Sequence, residues 1–262
     1  MIKIADDSFD ISLLLKPLSK GNPFGCRIYS LYKCYDYNLP FVDFWLQVKD
    51  NVCVSAIGRL GTQFIVQLTD LSDLEEISSF LRVAGATSVL CDNKYTLELY
   101  PQNDNTGAIL KFFGDPYEIE EDYQICIPTI KEAYELLVLC KEEGFEAPDY
   151  ESFNLDVSHK LRHNAIRLVG LRENGILKSV AMTVAETEND AVLGAVASHP
   201  DCRQKGYGSF LVKSLTNKLL EENKSIYLHR AIDKNISFYS NLGYKVQGKW
   251  CEYYFWKVDN IE

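Results

Sequence analysis

Two glycines and two basic residues lie close together in the segment HPDCRQKGYGSFL, residues 199–211. Gly206 and Gly208 allow backbone conformations with positive φ and let a bound group approach the main chain closely. Arg203 and Lys205 lie just before them, in a chain whose formal net charge is −10. Cations at a helix N-terminus oppose the helix dipole, whereas the free N–H groups there favour a bound anion. The segment therefore predicts a turn that binds phosphate.

The elements around this turn are predicted from their hydrophobic patterns. The short apolar run AVLGAV, residues 191–196, is typical of a buried strand, and Leu211, Leu215 and Leu219 recur at the spacing of one helix face. The sequence contains no P-loop string, and GYGSFL lacks the third glycine of a dinucleotide fingerprint. The alternative is an ordinary helix start, in which the glycines serve only the turn.

The rest of the carboxy-terminal half gives a series of predicted helices and strands. An Asn-Gly pair at Asn174 and Gly175 favours a hairpin turn. Asp233 is the predicted N-cap of a short late helix, and Gly243 is placed to end that helix. The predicted elements are a helix over 128–144, a helix over 150–162, a hairpin over 165–186, a strand over 225–230 and a strand over 249–258 that closes the sheet.

The segment from Arg203 to Gly208 resembles the acyl-CoA signature of the GNAT acetyltransferase superfamily, Arg/Gln-x-x-Gly-x-Gly/Ala, at every fixed position. A second block, NISFYSNLGYKVQGKW at 235–250, is similar to that superfamily's late helix and turn. The resemblance covers residues 125–262 and implies a GNAT domain there. The implied fold class is α/β, of the mixed α+β kind: a twisted mixed β-sheet flanked by helices.

The resemblance also implies how acetyl-CoA is held. The backbone of the turn would wrap the pyrophosphate of coenzyme A, and the strand edge before it would pair with the pantetheine arm. A backbone N–H on that edge would face the thioester carbonyl. The cofactor-binding residues implied in this way are Val196, Ala197, Ser198, Arg203, Gln204, Lys205, Gly206, Tyr207, Gly208, Ser209 and Asn235.

Transfer of an acyl group to an amine also needs an acid that protonates the leaving thiolate. The resemblance implies that Tyr239 is this acid. Tyr239 follows Asn235 by four residues, so the two side chains share one helix face. The alternative is that Tyr239 only packs beside Phe238.

The general base stays open at this point. Many superfamily members carry a Glu on the central strand, but the corresponding positions here are near Gly194 and Ala195, which have no carboxylate. Glu186, at the end of the preceding strand, is one candidate for the catalytic base. His199 and His229 are others, because histidine titrates in the useful range. A water relay, or the binding of a neutral amine, would also suffice.

The amino-terminal half repeats the order strand, strand, strand, helix, strand. These elements are a hairpin over 41–60, a strand over 63–69, a helix over 70–86 and a strand over 88–92. The start of its helix is acidic, which stabilises a helix N-terminus and repels phosphate; the acidic residues are Asp70, Asp73, Glu75 and Glu76. Residues 1–124 are therefore predicted to form a degenerate GNAT-like lobe, or an unrelated α+β lobe that supports the enzyme or a homodimer. Residues 100–122 are the predicted connector.

The composition excludes several classes of partner. The chain has 262 residues and is acidic, which argues against a nucleic-acid surface. No apolar run approaches the roughly 20 residues of a membrane span, and no signal peptide is recognisable at the N-terminus. The eight cysteines form no Cys-x-x-Cys pair, and no spacing suggests a metal site. We therefore expect reduced thiols and a cytoplasmic protein.

Together these features predict an acetyl-CoA-dependent N-acetyltransferase whose acceptor is an amine of a small molecule, or an exposed amino group of a peptide. The alternative is a non-catalytic acyl-CoA-binding sensor, or a partner-binding module, on a GNAT scaffold. The missing strand carboxylate favours this alternative, whereas the complete turn and Tyr239 favour the enzyme. The acceptor pocket is expected around residues 140–165.

Overall fold

The computed structural model describes residues 1–5, 11–36, 39–120, 123–140 and 148–255. The chain forms two compact units. Unit 1 comprises Met1–Leu110, His229–Lys234 and Val246–Glu262, and unit 2 comprises Lys111–Leu228 and Asn235–Lys245. The domain boundary at 124/125 that we expected from the sequence stays a prediction.

The first part of the chain contains six strands and three helices among its described residues. They are β1 (Ile2–Ile4), α1 (Ile11–Ser19), α2 (Pro23–Tyr35), β2 (Val42–Lys49), β3 (Val52–Leu60), β4 (Gln63–Gln67), α3 (Leu74–Val83), β5 (Ser88–Asp92) and β6 (Asn103–Phe112). The predicted hairpin, strand, helix and strand between 41 and 92 are confirmed. The helices α1 and α2 were not among the predicted elements.

The second part of the chain begins at β7 (Ile125–Cys126). It continues with α4 (Ile130–Leu139), α5 (Tyr150–Arg162), β8 (Leu168–Glu173), β9 (Ile176–Glu186), β10 (Asp190–Ser198), α6 (Tyr207–Glu221), β11 (Ser225–Ala231), α7 (Ile236–Asn241) and β12 (Tyr244–Tyr254). The predicted helix over 150–162 is confirmed. The predicted hairpin turn is also confirmed, since Asn174 and Gly175 have φ values of 52° and 78°. Residues 141–144 of the predicted helix over 128–144 lie outside the described residues.

The sheet of unit 2 has the strand order β7-β8-β9-β10-β11. Neighbouring strands are antiparallel except β10 and β11, which are parallel. The helices α4 and α5 pack on one another and bury Leu136 and Val157 against Leu168 and Val180 of the sheet. The predicted fold class, a mixed sheet flanked by helices, is confirmed.

The sheet of unit 1 has the order β1-β2-β3-β4-β5-β12-β6. Here two expectations are wrong. The last strand, β12, was expected to close the carboxy-terminal sheet, but it pairs with β5, where Cys251 lies opposite Cys91. The predicted connector over 100–122 contains the ten-residue strand β6. We missed this strand because its first half is polar, although the mostly apolar run AILKFF follows at 108–113.

The two parts of the chain share one order of elements: strand, two helices, three strands, helix, strand. β1 to β5 and β7 to β11 also share their pairing. The first four strands of each set are antiparallel to their neighbours, and the last pair, β4 with β5 or β10 with β11, is parallel. Among the described residues, no helix is long and apolar enough to cross a membrane. All eight cysteines are free thiols.

Candidate active site

The predicted phosphate turn joins β10 to α6 in unit 2. After a short 3₁₀ turn at Pro200–Cys202, the backbone is extended at Arg203 and left-handed at Gln204, with φ 64°. Gly206 is left-handed again, with φ 84° and ψ −6°, and α6 begins at the next residue. A left-handed residue followed by right-handed residues turns successive N–H groups toward one concave side, which is a common anion-binding geometry.

The N–H groups of this turn are largely unpaired. Lys205 donates weakly to the carbonyl of Cys202, at 3.4 Å, and the first hydrogen bond of α6 runs from Phe210 N to Gly206 O at 2.9 Å. Gly206 has no side chain that could cap the helix. Within the part of the chain that the structure describes, five N–H groups donate to no protein group: those of Gln204, Gly206, Tyr207, Gly208 and Ser209. An anionic ligand would satisfy them.

Gly208 brings three predicted elements together. A Cβ at this position would lie 3.1 Å from Ser198 Oγ at the end of β10 and 3.8 Å from Phe238 Cζ in α7. A side chain here would therefore push the helix start away from both neighbours. Ser198 Oγ is itself hydrogen-bonded to Ser179 Oγ at 2.8 Å. The predicted residues Ser198, Gly208 and the helix that carries Tyr239 are thus close in space.

The two basic residues of the turn have different surroundings. Arg203 and Lys205 are both exposed. Lys205 Nζ lies 3.5 Å from Glu173 Oε2, so a carboxylate compensates part of its unfavourable position at the helix start. Our expectation that both cations are poorly placed for stability alone stays a prediction. Arg203 lies near Cys140, whose thiol pKa is raised by burial and lowered in part by the arginine charge.

β10 carries a bulge just before the turn. Gly194 lies opposite Met182 of β9 and Ala197 opposite Val180, so β10 has one residue more than its partner in this interval. Ala195 in the bulge has φ 46°, an uncommon and strained value for a residue other than glycine. Bulges and such strain are frequent at functional sites. The sequence analysis missed this bulge, although a glycine inside an apolar strand is a signal for one.

The bulge also marks an open strand edge. β10 pairs with β11 only from Asp190 to Leu193, although β10 continues to Ser198. Among the described residues of unit 2, no strand covers that edge from 194 to 198. Val196, Ala197 and Ser198, which we predicted to hold the pantetheine arm, lie on this stretch.

Asn235 and Tyr239 lie at the start and on one face of α7. Asn235 is the N-cap, with φ 50°, and its side chain makes no capping hydrogen bond. Tyr239 is half-buried, and its ring packs edge-on against Phe238 at 4.9 Å and Tyr244 at 6.0 Å between ring centroids. The predicted N-cap Asp233 is wrong, because Asn235 holds that position.

The chain is similar to several known proteins. The model of a family described as FR47-like protein matches residues 168–255, from β8 into the end of the chain. A Drosophila protein is 10% identical over 96% of this chain and 98% of its own, with a TM-score of 0.67. A tandem GNAT protein from the clavulanic acid biosynthesis pathway is 11% identical over 97% and 98%, with a TM-score of 0.60. A GNAT-family acetyltransferase from Colwellia psychrerythraea is 11% identical over 98% and 100%, with a TM-score of 0.57.

The carboxy-terminal half has a GNAT fold. The resemblance that we inferred from the turn and the late helix is thereby confirmed. No curated protein matches the sequence.

Glu186, one of our candidates for the base, lies away from the GNAT turn. Its side chain is 3% exposed, and it pairs with Lys224 at 2.7 Å and with Arg167 at 3.0 Å. It lies opposite Ala191 at the beginning of β10, roughly 16 Å along the strand from Val196 at 3.3 Å per residue. The structure does not bring Glu186 to the cofactor-binding residues, because two buried ion pairs hold it at the other end of the sheet.

The two histidine candidates are also poorly suited to act as bases. Burial lowers the pKa of His229 to about 3, so its ring is a weak proton acceptor near neutral pH. The ring lies between Phe24, whose ring is tilted by 40° to it, and Trp250, on which it stacks, both in unit 1. His199 Nδ1 accepts a hydrogen bond from the N–H of Asp201 at 3.3 Å and lies 3.5 Å from the carboxylate of Asp201. These contacts engage Nδ1 of His199, and its role as a base stays a prediction.

A groove of about 360 Å³ lies beside His199 in unit 2. Its lining combines apolar side chains with two glutamates, of which Glu132 pairs with Arg172 at 2.7 Å. It is lined by Glu132, Glu135, Leu136 and Leu139 of α4, by Gly175, Ile176 and Leu177 of the β8–β9 hairpin, and by His199. Part of the expected acceptor segment, residues 141–147, lies outside the described residues.

The GNAT fold implies acetyl-CoA, and the turn fits that group. Five unpaired N–H groups lie within six consecutive residues, where Gly206 contributes no side chain. Nothing lies within 4 Å of the position that a Cβ of Gly206 would take, so the space beside the main chain is open. This donor set is suited to a pyrophosphate, whose oxygens only accept hydrogen bonds.

Proposed function

We propose that the protein is an acetyl-CoA-dependent N-acetyltransferase. The observation that carries this proposal is the group of five unpaired N–H groups at 204 and 206–209, which stands directly after the open, bulged edge of β10. An anion site alone would fit many phosphate ligands. The adjoining strand edge adds a surface on which an extended amide-containing arm can form backbone hydrogen bonds.

Each part of the site has its own task in this proposal. The N–H groups from Gln204 to Ser209 bind the pyrophosphate, and the charges of Arg203 and Lys205 strengthen that binding. Val196, Ala197 and Ser198 orient the extended arm, and a backbone N–H at the bulge polarises the reacting carbonyl. Asn235 contacts the bound group from α7. Acetyl-CoA, when bound, supplies an acetyl group activated as a thioester.

Tyr239 Oη is the acid in this proposal. Its helix, α7, lies beside Gly208, since a Cβ at Gly208 would be 3.8 Å from Phe238 Cζ of that helix. Residues 194–198 carry no carboxylate, and Glu186 is held in buried ion pairs. The acceptor nitrogen is therefore deprotonated by water, or it binds as the neutral amine.

We propose an amine acceptor, either a small molecule or a peptide amino group. The net charge of −10 favours a cationic acceptor, and Glu135 adds one exposed carboxylate to the groove beside His199, whose other glutamate, Glu132, is paired with Arg172. The free thiols are in keeping with a cytoplasmic protein. We also propose that the amino-terminal half is a degenerate GNAT-like lobe, because it repeats the order and the pairing of β7 to β11.

A second candidate function is a non-catalytic acyl-CoA sensor on the same scaffold. The observation that favours it is the lack of a carboxylate on the strand beside the bulge. A sensor would bind coenzyme A at the same turn and would transfer no acetyl group.

One experiment separates the enzyme from the sensor. The full-length protein is incubated with acetyl-CoA and a panel of small amines and amino-terminal peptides, and the release of free thiol is recorded. The enzyme predicts thiol release that depends on the amine and disappears in Gly206→Val. Binding of coenzyme A in calorimetry without thiol release for any amine would support the sensor. The absence of binding would overturn both functions.

A further inference from the structure

Glu173 holds three side chains of the phosphate turn. It is the last residue of β8, outside the turn and outside the signature that pointed to it. Tyr207 Oη donates a hydrogen bond to Glu173 Oε1 at 3.0 Å. The second carboxylate oxygen, Oε2, lies 3.5 Å from Lys205 Nζ and 3.8 Å from Cys202 Sγ. One carboxylate thus contacts the beginning, the middle and the end of the turn.

The bond from Tyr207 fixes the start of α6. Tyr207 is the first residue of the helix, and its own N–H is one of the five unpaired groups. Its ring is buried and packs edge-on against Tyr123 at 5.2 Å between centroids. With the ring packed and the hydroxyl bonded, the backbone of Tyr207 has little freedom to rotate.

The charge of Glu173 opposes the binding of an anion. The hydrogen bond from Tyr207, followed by the charge of Lys205, holds the pKa of Glu173 below its usual value, so the carboxyl is ionised near neutral pH. A negative charge beside a phosphate site weakens binding by repulsion and engages a lysine that could otherwise contact the ligand. If the charge at position 173 served only to attract a phosphate, the residue there would be basic.

We propose that Glu173 is a positioning residue, which holds the N–H groups of the turn in the geometry that binds the pyrophosphate. This inference rests on the proposed function and adds a residue to the same site. Holding the donors in place before the ligand arrives reduces the entropy lost on binding, and this gain outweighs the repulsion. The two effects have opposite signs, so a substitution can tell them apart.

The first test measures the dissociation constant of coenzyme A by calorimetry on full-length variants. Glu173→Ala removes all three contacts, and we expect weaker binding by about tenfold. Glu173→Gln keeps an oxygen that accepts from Tyr207, so we expect affinity within about threefold of the wild type. Tyr207→Phe keeps the ring and should weaken binding in the same direction as Glu173→Ala. Glu221→Gln, which removes the same charge from the other end of α6, should change nothing.

A merely structural or merely electrostatic role predicts other results. If Glu173 acted only through its charge, Glu173→Ala and Glu173→Gln would both bind more tightly. If it only stabilised the fold, the melting temperature would fall, while KM for acetyl-CoA and kcat of the folded fraction would stay unchanged. Positioning predicts a higher KM for acetyl-CoA at unchanged kcat. Unchanged or tighter binding in Glu173→Ala, or equal weakening in Glu173→Gln, would overturn the proposal.

The second test needs no ligand. Amide hydrogen exchange is measured on the unliganded wild type, Glu173→Ala and Glu173→Gln at Arg203, Lys205 and Phe210, whose N–H groups are hydrogen-bonded within the turn. We expect faster exchange in Glu173→Ala only, confined to the turn. Equal exchange in all three proteins would overturn the positioning role. If the wild type binds no coenzyme A, the proposed function fails, and this second test still decides whether Glu173 holds the turn.

Discussion

The turn between β4 and α3 and the turn between β10 and α6 hold the same place in their repeats, yet their donor groups differ. At the start of α3, Asp73 N donates to Gln47 Oε1 at 2.8 Å, and Glu76 N donates to Asp73 Oδ1 at 3.0 Å. Leu71 N and Ser72 N donate to Thr69, through its hydroxyl and its carbonyl. The chain's own side chains and carbonyls therefore satisfy four N–H groups around this helix start, whereas those of Asp70, Leu74 and Glu75 donate to no described group.

At the four corresponding positions around the start of α6, the described part of unit 2 satisfies only the N–H of Lys205, which donates weakly to the carbonyl of Cys202 at 3.4 Å. Gly206 replaces the capping aspartate, and the N–H groups at 204 and 206–209 stay unpaired. The same order of elements thus occurs with a helix start that is capped by a side chain, at α3, and with one that is not, at α6. The residues of the turn, and not the order of elements, decide which of the two is available to a ligand.

The strands that lead into the two turns differ as well. β3 and β4 pair without interruption from Ala56 opposite Gln67 to Leu60 opposite Gln63. β10 is bulged at Ala195, and its pairing with β11 ends at Leu193. The bulge and the five unpaired donors occur together in unit 2, whereas the described part of the β4–α3 region has no bulge between β3 and β4 and leaves three N–H groups unpaired, those of Asp70, Leu74 and Glu75. This coincidence is the reason to assign function to one repeat only.

The largest effect is expected for Tyr239→Phe, which removes the proton at Oη and keeps the ring. If Tyr239 is the acid, kcat should fall by roughly 10²–10⁴-fold with little change in melting temperature or coenzyme A affinity. Tyr244→Phe is the matched control, because its hydroxyl bonds Thr216 Oγ1 at 2.8 Å inside the core. The control should lose about 0.5–1.5 kcal/mol of stability and keep its kcat. Near-normal turnover in Tyr239→Phe would rule out the acid role.

Glu186→Ala tests whether the Glu186 carboxylate stabilises the sheet or takes part in the reaction. Removing Glu186 leaves Lys224 and Arg167 with only part of their ion pairing, so the free energy of unfolding should fall by about 3 kcal/mol. Denaturant unfolding measures this loss, and Glu221→Ala, an exposed change, should have almost no effect. The kcat of the folded fraction should be unchanged. A variant of normal stability that has lost turnover would restore Glu186 as a candidate base.

Gly206→Val tests whether the open turn is the binding site. Its φ of 84° strains any side chain, and so does the φ of 74° at Gly85, the matched position that ends α3. Neither Cβ would meet an atom within 4 Å, so both valines should cost about 1–2 kcal/mol of stability. Only Gly206→Val should also weaken coenzyme A binding, by about 100-fold or more, because the branched side chain narrows the approach to the N–H groups. Equal affinity in the two variants would break the assignment.

The smallest effect is expected for Asp73→Ala, which removes the acceptor of the Glu76 N–H at the start of α3. Loss of the cap should lower the free energy of unfolding by about 1 kcal/mol. No coenzyme A should bind to the variant's α3 turn, because the acidic residues Glu75 and Glu76 stay in place and Gln47 still occupies the N–H of residue 73. Calorimetry with the double variant Asp73→Ala/Gly206→Val should show no binding. A new site there would mean that the cap alone distinguishes the two turns.

Local sequence patterns predicted the turn, α5 and α6, and the β8–β9 hairpin. Each of these depends on residues that are near one another in the chain, such as Asn174 with Gly175 or Gly206 with the leucines that follow it. The same patterns could not predict the partner of β12, because alternation along a strand specifies its faces and not its neighbour. The register of β12 on β5 places Cys251 opposite Cys91, and no local sequence signal relates these two positions.

For the site as well, residues within the two motifs were predicted, and residues that contact the turn from other elements were not. The turn residues and Tyr239 came from the two motifs, and the structure brings their segments together at Gly208. Glu173 was missed because it contacts the turn from the end of another strand, and an acidic residue next to a hairpin turn is usually an exposed one. Glu186 was suggested because it follows an apolar strand, but its partners Arg167 and Lys224 come from other elements.

The stoichiometry of coenzyme A binding tests the central claim most directly. Isothermal titration calorimetry on the full-length wild-type protein should give one coenzyme A per chain, because of the two corresponding turns only the one between β10 and α6 joins a bulged strand to an uncapped helix start. A stoichiometry of two would show that the capped, acidic turn before α3 also binds the cofactor. A titration without heat, confirmed by the absence of a thermal shift, would show that the open turn of unit 2 is not a coenzyme A site.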